Sequence, residues 1–103
     1  ATAIVESYID NPDFDVATFA REMCMSRTLL FTKLKALTGQ TPNDFILSLR
    51  LKKATEKLRN DPNALIADIA FDYGFSNPSY FIRCFKNAYD ITPAAYRRKY
   101  TNS

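Results

Sequence analysis

Apolar residues recur at Val16, Phe19, Ala20 and Met23, and again at Ile66, Ile69, Ala70 and Tyr73. That spacing is one face of a short helix, and the chain carries it twice. Each copy runs through a turn into a second helix that holds a Lys, at 35 or 86. Each finishes with Thr-Pro, at 41–42 or 92–93, and an aromatic at 45 or 96. The offset is 50 residues before the turn and 51 after it, so one turn is a residue longer. Two helix–turn–helix units in so short a chain predict a device that touches two equivalent things. Successive turns of a DNA groove are the obvious candidate.

Seven helices and no strands are expected, because strict apolar–polar alternation is never sustained and only two Gly are present. Helix one spans about 2–10, with Ile4, Val5, Tyr8 and Ile9 on one side, and Asn11-Pro12 ends it. Asp15 caps helix two, about 16–23; Ser26 caps helix three, about 27–38, which Gly39 closes. Thr41 caps a long fourth helix, about 42–59, with Pro42 at its first position and Asp44 where a capping-box acid sits. Asn60-Asp61-Pro62-Asn63 terminates it. Helix five follows at about 65–73, with Gly74 as a left-handed stop. Asn77-Pro78 opens helix six, about 78–89, and Thr92-Pro93 opens a last short helix before a frayed basic tail from Arg97. The fold class is all-α: one domain over 1–103, with lobe one at about 1–41, a linker helix at about 42–60 and lobe two at about 61–99.

The two second helices sort by face. Leu30, Leu34 and Leu37 face the core in helix three; Phe81, Phe85 and Ala88 do so in helix six. Arg27, Thr28, Phe31, Thr32 and Lys35 share the other side of the first; Ser79, Ile82, Arg83 and Lys86 share that of the second. At the 51-residue offset Thr28 matches Ser79, Phe31 matches Ile82, and Lys35 matches Lys86. Phe31 and Ile82 are odd on a solvent face. Each either folds over a neighbouring helix or touches a thymine methyl or sugar edge. Arg83 is the leading base-reading candidate, since Arg bonds two guanine acceptors at once. Arg27, Lys35 and Lys86 fit phosphate contacts, which position without reading sequence. Thr28 and Ser79 can donate to bases or phosphates. Ser26 and Asn77 are primarily caps, with N–H groups beside them that can take a phosphate. Tyr73, Tyr89 and Tyr96 complete the core.

Charge sharpens this picture. Net charge is +3, and its distribution is uneven. Residues 1–24 carry one base and five acids, whereas 25–60 carry eight bases and two acids. The positive charge starts where helix three starts, as expected of a protein that presents one face to a polyanion. Arg50 differs from the other bases: Ile46, Arg50 and Ala54 form one packing row on helix four, so Arg50 is read as a clamp between the lobes, paired with Asp68 or Asp72. Cys24 and Cys84 sit at non-equivalent places among apolar neighbours, and buried free thiols are expected. With no His and no Cys or carboxylate cluster at metal spacing, no metal or cofactor is expected. No apolar run approaches the roughly 18 residues of a membrane span. No signal peptide is visible, and the chain begins Ala-Thr-Ala without Met, as a fragment of a longer protein does.

Over about residues 10–99 the chain resembles the C-terminal DNA-binding domain of AraC/XylS-type transcription regulators. The residues that carry this are Ile66-Ala67-Asp68-Ile69-Ala70, Gly74-Phe75, Asn77-Pro78-Ser79-Tyr80-Phe81, Phe85-Lys86 and Thr92-Pro93-Ala94-Ala95-Tyr96-Arg97. Leu34-Lys35-Ala36-Leu37-Thr38-Gly39 and Arg50-Leu51-Lys52-Lys53-Ala54 carry it in the first half. Lys33 through Ile46 also resembles regulators in which this domain ends a hybrid two-component sensor. The resemblance implies helices three and six in successive major-groove segments. It puts base contacts on Thr28, Phe31 and Thr32, and on Pro78, Ser79, Ile82 and Arg83. Thr32 stands where the family often has Arg, and Asp90 replaces the usual Gly after helix six, a position that strains a residue with a Cβ.

The expected function is sequence-specific binding of double-stranded DNA to regulate transcription, without enzymatic activity. The expected partners are that DNA, RNA polymerase, and a sensing or dimerising region of a longer chain. The domain itself is expected in the cytoplasm without membrane contact, even if a hybrid sensor anchors the full-length protein. The alternative is a helical protein-interaction module docking on polymerase or a sensor domain, motivated by exposed Phe31 and Ile82. An enzyme ranks third, since no nucleophile–base pair is visible and His is absent.

Overall fold

The computed structural model describes residues 2–9, 11 and 14–101. Seven helices run in chain order: α1 (Thr2–Ser7), α2 (Val16–Glu22), α3 (Arg27–Thr38), α4 (Pro42–Asn60), α5 (Ile66–Asp72), α6 (Pro78–Tyr89) and α7 (Pro93–Thr101). Among the described residues there is no strand. Local chemistry sets most of the boundaries. The Asp15 carboxylate accepts from the Thr18 N–H at 2.9 Å and starts α2. The Thr41 hydroxyl accepts from the Asp44 N–H at 3.2 Å and starts α4, with Pro42 in the first turn. Gly39 and Asp90 close α3 and α6 in the left-handed conformation, at φ 76° and 66°. Helix α1 is shorter than its pattern predicts: it ends at Ser7, and Tyr8 and Ile9 form a turn. Residues 10 and 12 of the expected stop lie outside the described residues.

The molecule is twice as long as it is wide, 45 × 23 × 22 Å, and holds two cores rather than one. Val5, Phe14, Phe19, Ala20, Leu30, Leu34, Phe45 and Ile46 form the first. Leu51, Ala54, Leu58, Ile69, Ala70, Phe75, Phe81, Phe85 and Tyr96 form the second. Helix α4 feeds both. Its buried apolar residues before position 50, Phe45 and Ile46, enter the first core, and Leu51, Ala54 and Leu58 after it enter the second. Arg50 stands at the divide, buried, and its guanidinium donates to the Gly74 carbonyl and, at 2.8 Å, to the Asn11 carbonyl. It therefore ties the loop before α2 to the turn after α5. The carboxylates expected to receive it, Asp68 and Asp72, are exposed on α5 instead. The close approach requires glycine at 74. A Cβ there would lie 2.5 Å from the Ile9 carbonyl oxygen and 2.7 Å from the Arg50 guanidinium carbon.

Three further expectations change. Leu37 is 83% exposed and Ala88 is exposed, because each lies in the last turn of its helix, beyond the reach of the core. Tyr96 is buried, but Tyr73 is half-buried and Tyr89 is exposed, its ring tilted against that of Phe85 at 4.7 Å. The basic tail is helical as far as Thr101, not frayed from Arg97. Arg97 donates to the Ala64 carbonyl at 2.6 Å, and the Tyr100 ring lies 4.6 Å from Tyr96. Arg59 of α4 holds α7 in place, donating to the Tyr96 hydroxyl at 2.9 Å and lying 6.0 Å over the Tyr100 ring.

Candidate nucleic-acid interface

Helices α3 and α6 are built alike. The Ser26 hydroxyl accepts from the Leu29 N–H at 3.1 Å, and the Asn77 side-chain oxygen accepts from the Tyr80 N–H at 2.8 Å. Leu30 and Leu34 bury one face of α3, as Phe81 and Phe85 bury that of α6. With those faces fixed inward, the opposite sides must point out. Arg27, Thr28, Phe31, Thr32 and Lys35 are all exposed on α3. Asn77, Ser79, Ile82, Arg83 and Lys86 are exposed at α6, and Pro78 is half-buried. Phe31 keeps 48% of its surface in solvent and Ile82 38%, so neither folds away against a neighbouring helix.

Two lysines of α4 pair with acids, whereas among the described residues these bases do not. Lys53 lies 3.8 Å from both Glu6 and Glu56, and Lys57 lies 3.4 Å from Asp61, so α4 spends charge on itself. Among the described residues, no acid pairs with Arg27, Lys35, Arg83 or Lys86. They remain available to a polyanion.

The two outward faces differ in chemistry. The Thr32 hydroxyl donates to the Thr28 carbonyl at 3.0 Å, which uses its only hydrogen within its own helix. At the equivalent place on α6, the Arg83 guanidinium carbon lies 5.5 Å over the ring of Tyr80. Sequence reasoning passed over Tyr80. Its spacing of three from Arg83 on one helix was the available signal. A hydrogen bond with the Cys84 side chain raises the Tyr80 pKa above its ordinary value.

The turns that deliver these helices also match. Met23–Ser26 joins α2 to α3, and residues 73–77 join α5 to α6, one residue longer. Cys24 and Gly74 hold the same left-handed step, at φ 57° and 87°. The following N–H reaches back to the same carbonyl position in each: Met25 to Ala20 and Phe75 to Ala70, both at 2.9 Å. The two thiols, expected to be buried, are an exposed Cys24 and a half-buried Cys84. Cys24 follows the geometry of the turn rather than the burial tendency of thiols.

This duplicated arrangement has counterparts among known proteins. A helix-turn-helix domain family model matches residues 19–99. The chain belongs to the AraC-type helix–turn–helix family. Histidine kinase P4 of Formosa agariphila is 42% identical over 101 residues, covering 98% of this chain and 7% of that protein. Regulatory protein SoxS of Escherichia coli is 31% identical over 94% of this chain and 89% of its own length. Among solved structures, the DNA-binding domain of AdpA in complex with a target DNA is 27% identical, with a TM-score of 0.86 over 98% of this chain and 93% of that one. The chain spans 31% or 32% of the length of other transcription regulators that it matches. As an AraC-type helix–turn–helix domain it is a sequence-specific DNA-binding domain. No helix among the described residues is long and apolar enough to cross a membrane.

Proposed function

We propose that this AraC-type domain lays α3 and α6 into successive major-groove segments of duplex DNA. One observation carries the reading: two capped helices, 51 positions apart in sequence, bury equivalent faces and expose equivalent ones. In this reading residues of about 1–41 and about 61–99 form two reading lobes, and α4, about 28 Å long at 1.5 Å per residue, spaces them. Thr28, Phe31, Thr32, Pro78, Ser79, Ile82 and Arg83 meet base edges. Arg27, Lys35 and Lys86 hold phosphates, and the N–H groups beside Asn77 are placed for one more. The role is binding, with no catalytic step. Selection of binding sites from random duplexes, at low and moderate salt, tests it. Two short conserved blocks about one helical turn apart are the expected result; no enrichment and no salt-sensitive binding would end the reading. Lys35→Ala should weaken all sequences alike and lower the salt slope by about one unit. An unchanged slope would remove Lys35 from the phosphate contacts.

The kinds of relatives the chain has support the partners we assign. The high identity to a histidine kinase supports placement at the output end of a hybrid two-component regulator, which would supply the sensing or dimerising region. RNA polymerase is the further partner we assign. A DNA ligand puts the domain in the cytoplasm, whatever anchors the rest of the chain. Leu37 on α3, 83% exposed, and Phe71 on α5, 53% exposed, favour a second role in protein docking that coexists with DNA binding. Apolar docking should persist as salt rises, whereas groove binding should fall steeply.

A further inference from the structure

Arg83 lies against Tyr80 rather than extending alone into solvent. Its guanidinium carbon is 5.5 Å above the Tyr80 ring centroid, one turn along α6. Tyr80 is itself held from three sides. Its N–H donates to the Asn77 cap at 2.8 Å, and its ring lies 6.1 Å from that of buried Phe75. Its hydroxyl lies beside the Cys84 side chain one turn further along α6, and its π face attracts a cation. Tyr80 also lines a cleft of about 490 Å³ whose walls include Arg50, Gly74 and Phe75. An arginine on a bare helix loses rotamer freedom when it docks on a base; one already stacked on a fixed ring loses less. The first half has no counterpart, since Leu29 and Thr32 occupy the equivalent positions.

We propose that Tyr80 is a positioning residue for base reading: its ring pre-aims the Arg83 guanidinium, so that discrimination at the base pair Arg83 meets depends on both side chains. The inference rests on the base-reading role assigned to Arg83 above.

The test uses the 103-residue chain and competition between a selected duplex and its variant at the single base pair that Arg83→Ala relaxes. Tyr80→Leu should lower that discrimination about 2- to 5-fold, the range of an exposed cation–π contact. Tyr80→Phe should keep it, because the ring and not the hydroxyl makes the stack. In an Arg83→Ala background, Tyr80→Leu should change nothing further. Full discrimination in Tyr80→Leu, beside its loss in Arg83→Ala, would overturn the positioning role alone. An equal loss in the Arg83→Ala background would overturn it too, by showing that Tyr80 merely supports the fold. If Arg83→Ala discriminates normally, the base-reading role itself falls. Should Tyr80→Leu fail to fold, the nitrogen-15 spectrum of the unaltered chain still decides. The Arg83 Nε–H resonance should be displaced upfield by the ring current and stay so in Tyr80→Phe; an undisplaced resonance would end the proposal.

Discussion

The two halves repeat one backbone but load it differently. Each needs a left-handed residue in its helix–turn–helix turn and another at the end of its second helix. The first half uses Cys24 and Gly39, the second Gly74 and Asp90. Each thus places one glycine and one residue with a side chain, in opposite order. A left-handed backbone costs a residue with a Cβ about 1–2 kcal/mol, which a fold tolerates where space is open. Cys24 is exposed and Gly39 has nothing within 4 Å of where a Cβ would stand. Gly74 is crowded by Arg50 and the Ile9 carbonyl. Backbone angle alone therefore does not demand glycine here; the crossing of the two halves does. The outward faces diverge in the same way. Where the second half sets Arg83 on Tyr80, the first has Thr32 bonded to its own helix and a half-exposed Leu29.

The largest expected effect separates the two glycines. Gly74→Ala should destabilise by about 3 kcal/mol or more, backbone strain and overpacking together, whereas Gly39→Ala should cost about 1–2 kcal/mol. Urea denaturation of both variants checks this, and equal costs would mean that the crowding at Gly74 is relieved by movement of Arg50. Next comes the reading face. Arg83→Ala should cost about 1–3 kcal/mol on the selected site and relax one base pair. Thr32→Ala should cost less than Arg83→Ala, because its hydroxyl hydrogen is already spent on the Thr28 carbonyl and mainly its methyl is left to meet a base edge. Titrations against matched and random duplexes compare them; a Thr32 loss as large as that of Arg83 would make the halves equal readers.

A smaller contrast lies in the caps. Asp15 caps α2 through its side chain, but the equivalent Leu65 makes no such bond at α5. Leu65→Asp should stabilise the chain by about 1 kcal/mol, seen as a higher urea midpoint; no gain would show that α5 is held by its packing alone. The smallest effect is that of pH. Hydrogen bonds from Thr18 hold the Asp15 pKa below its ordinary 3.8. The depressed folded value makes this contribution complete above about pH 3.8 and removes it as pH falls through the folded pKa. The loss should be confined to the cap of α2, and Asp15→Asn should flatten that part of the stability profile. An unchanged acid limb in Asp15→Asn would assign it to other carboxylates.

Features set by neighbours a few residues apart were legible before the fold was known. Asp15, Ser26, Thr41 and Asn77 each cap the helix expected of them, because a cap is a contract between a side chain and an N–H three positions on. The exposure of both candidate reading faces followed from the buried stripes opposite. Periodicity failed at Leu37 and Ala88, where the pattern runs on past the end of the core it points to. It could not supply the partners of Arg50, since two carbonyls from distant turns leave no mark in side-chain chemistry. Cys24 was legible and missed. It stands 50 residues before Gly74 in a turn already known to repeat, and that position predicts a left-handed backbone. The basic tail misled because its charge reads as solvated, while Arg97 is anchored by Ala64 and Tyr100 by Arg59, groups far along the chain.

The reach of Arg50 from the Asn11 carbonyl to the Gly74 carbonyl makes the molecule a ruler. Inserting one base pair between two operator blocks turns the second by about 35° around the duplex axis. A rigid ruler cannot follow that rotation, so it must abandon one block or bend the DNA. Operators read by this domain should therefore drift by substitution within their blocks and hardly at all by insertion between them.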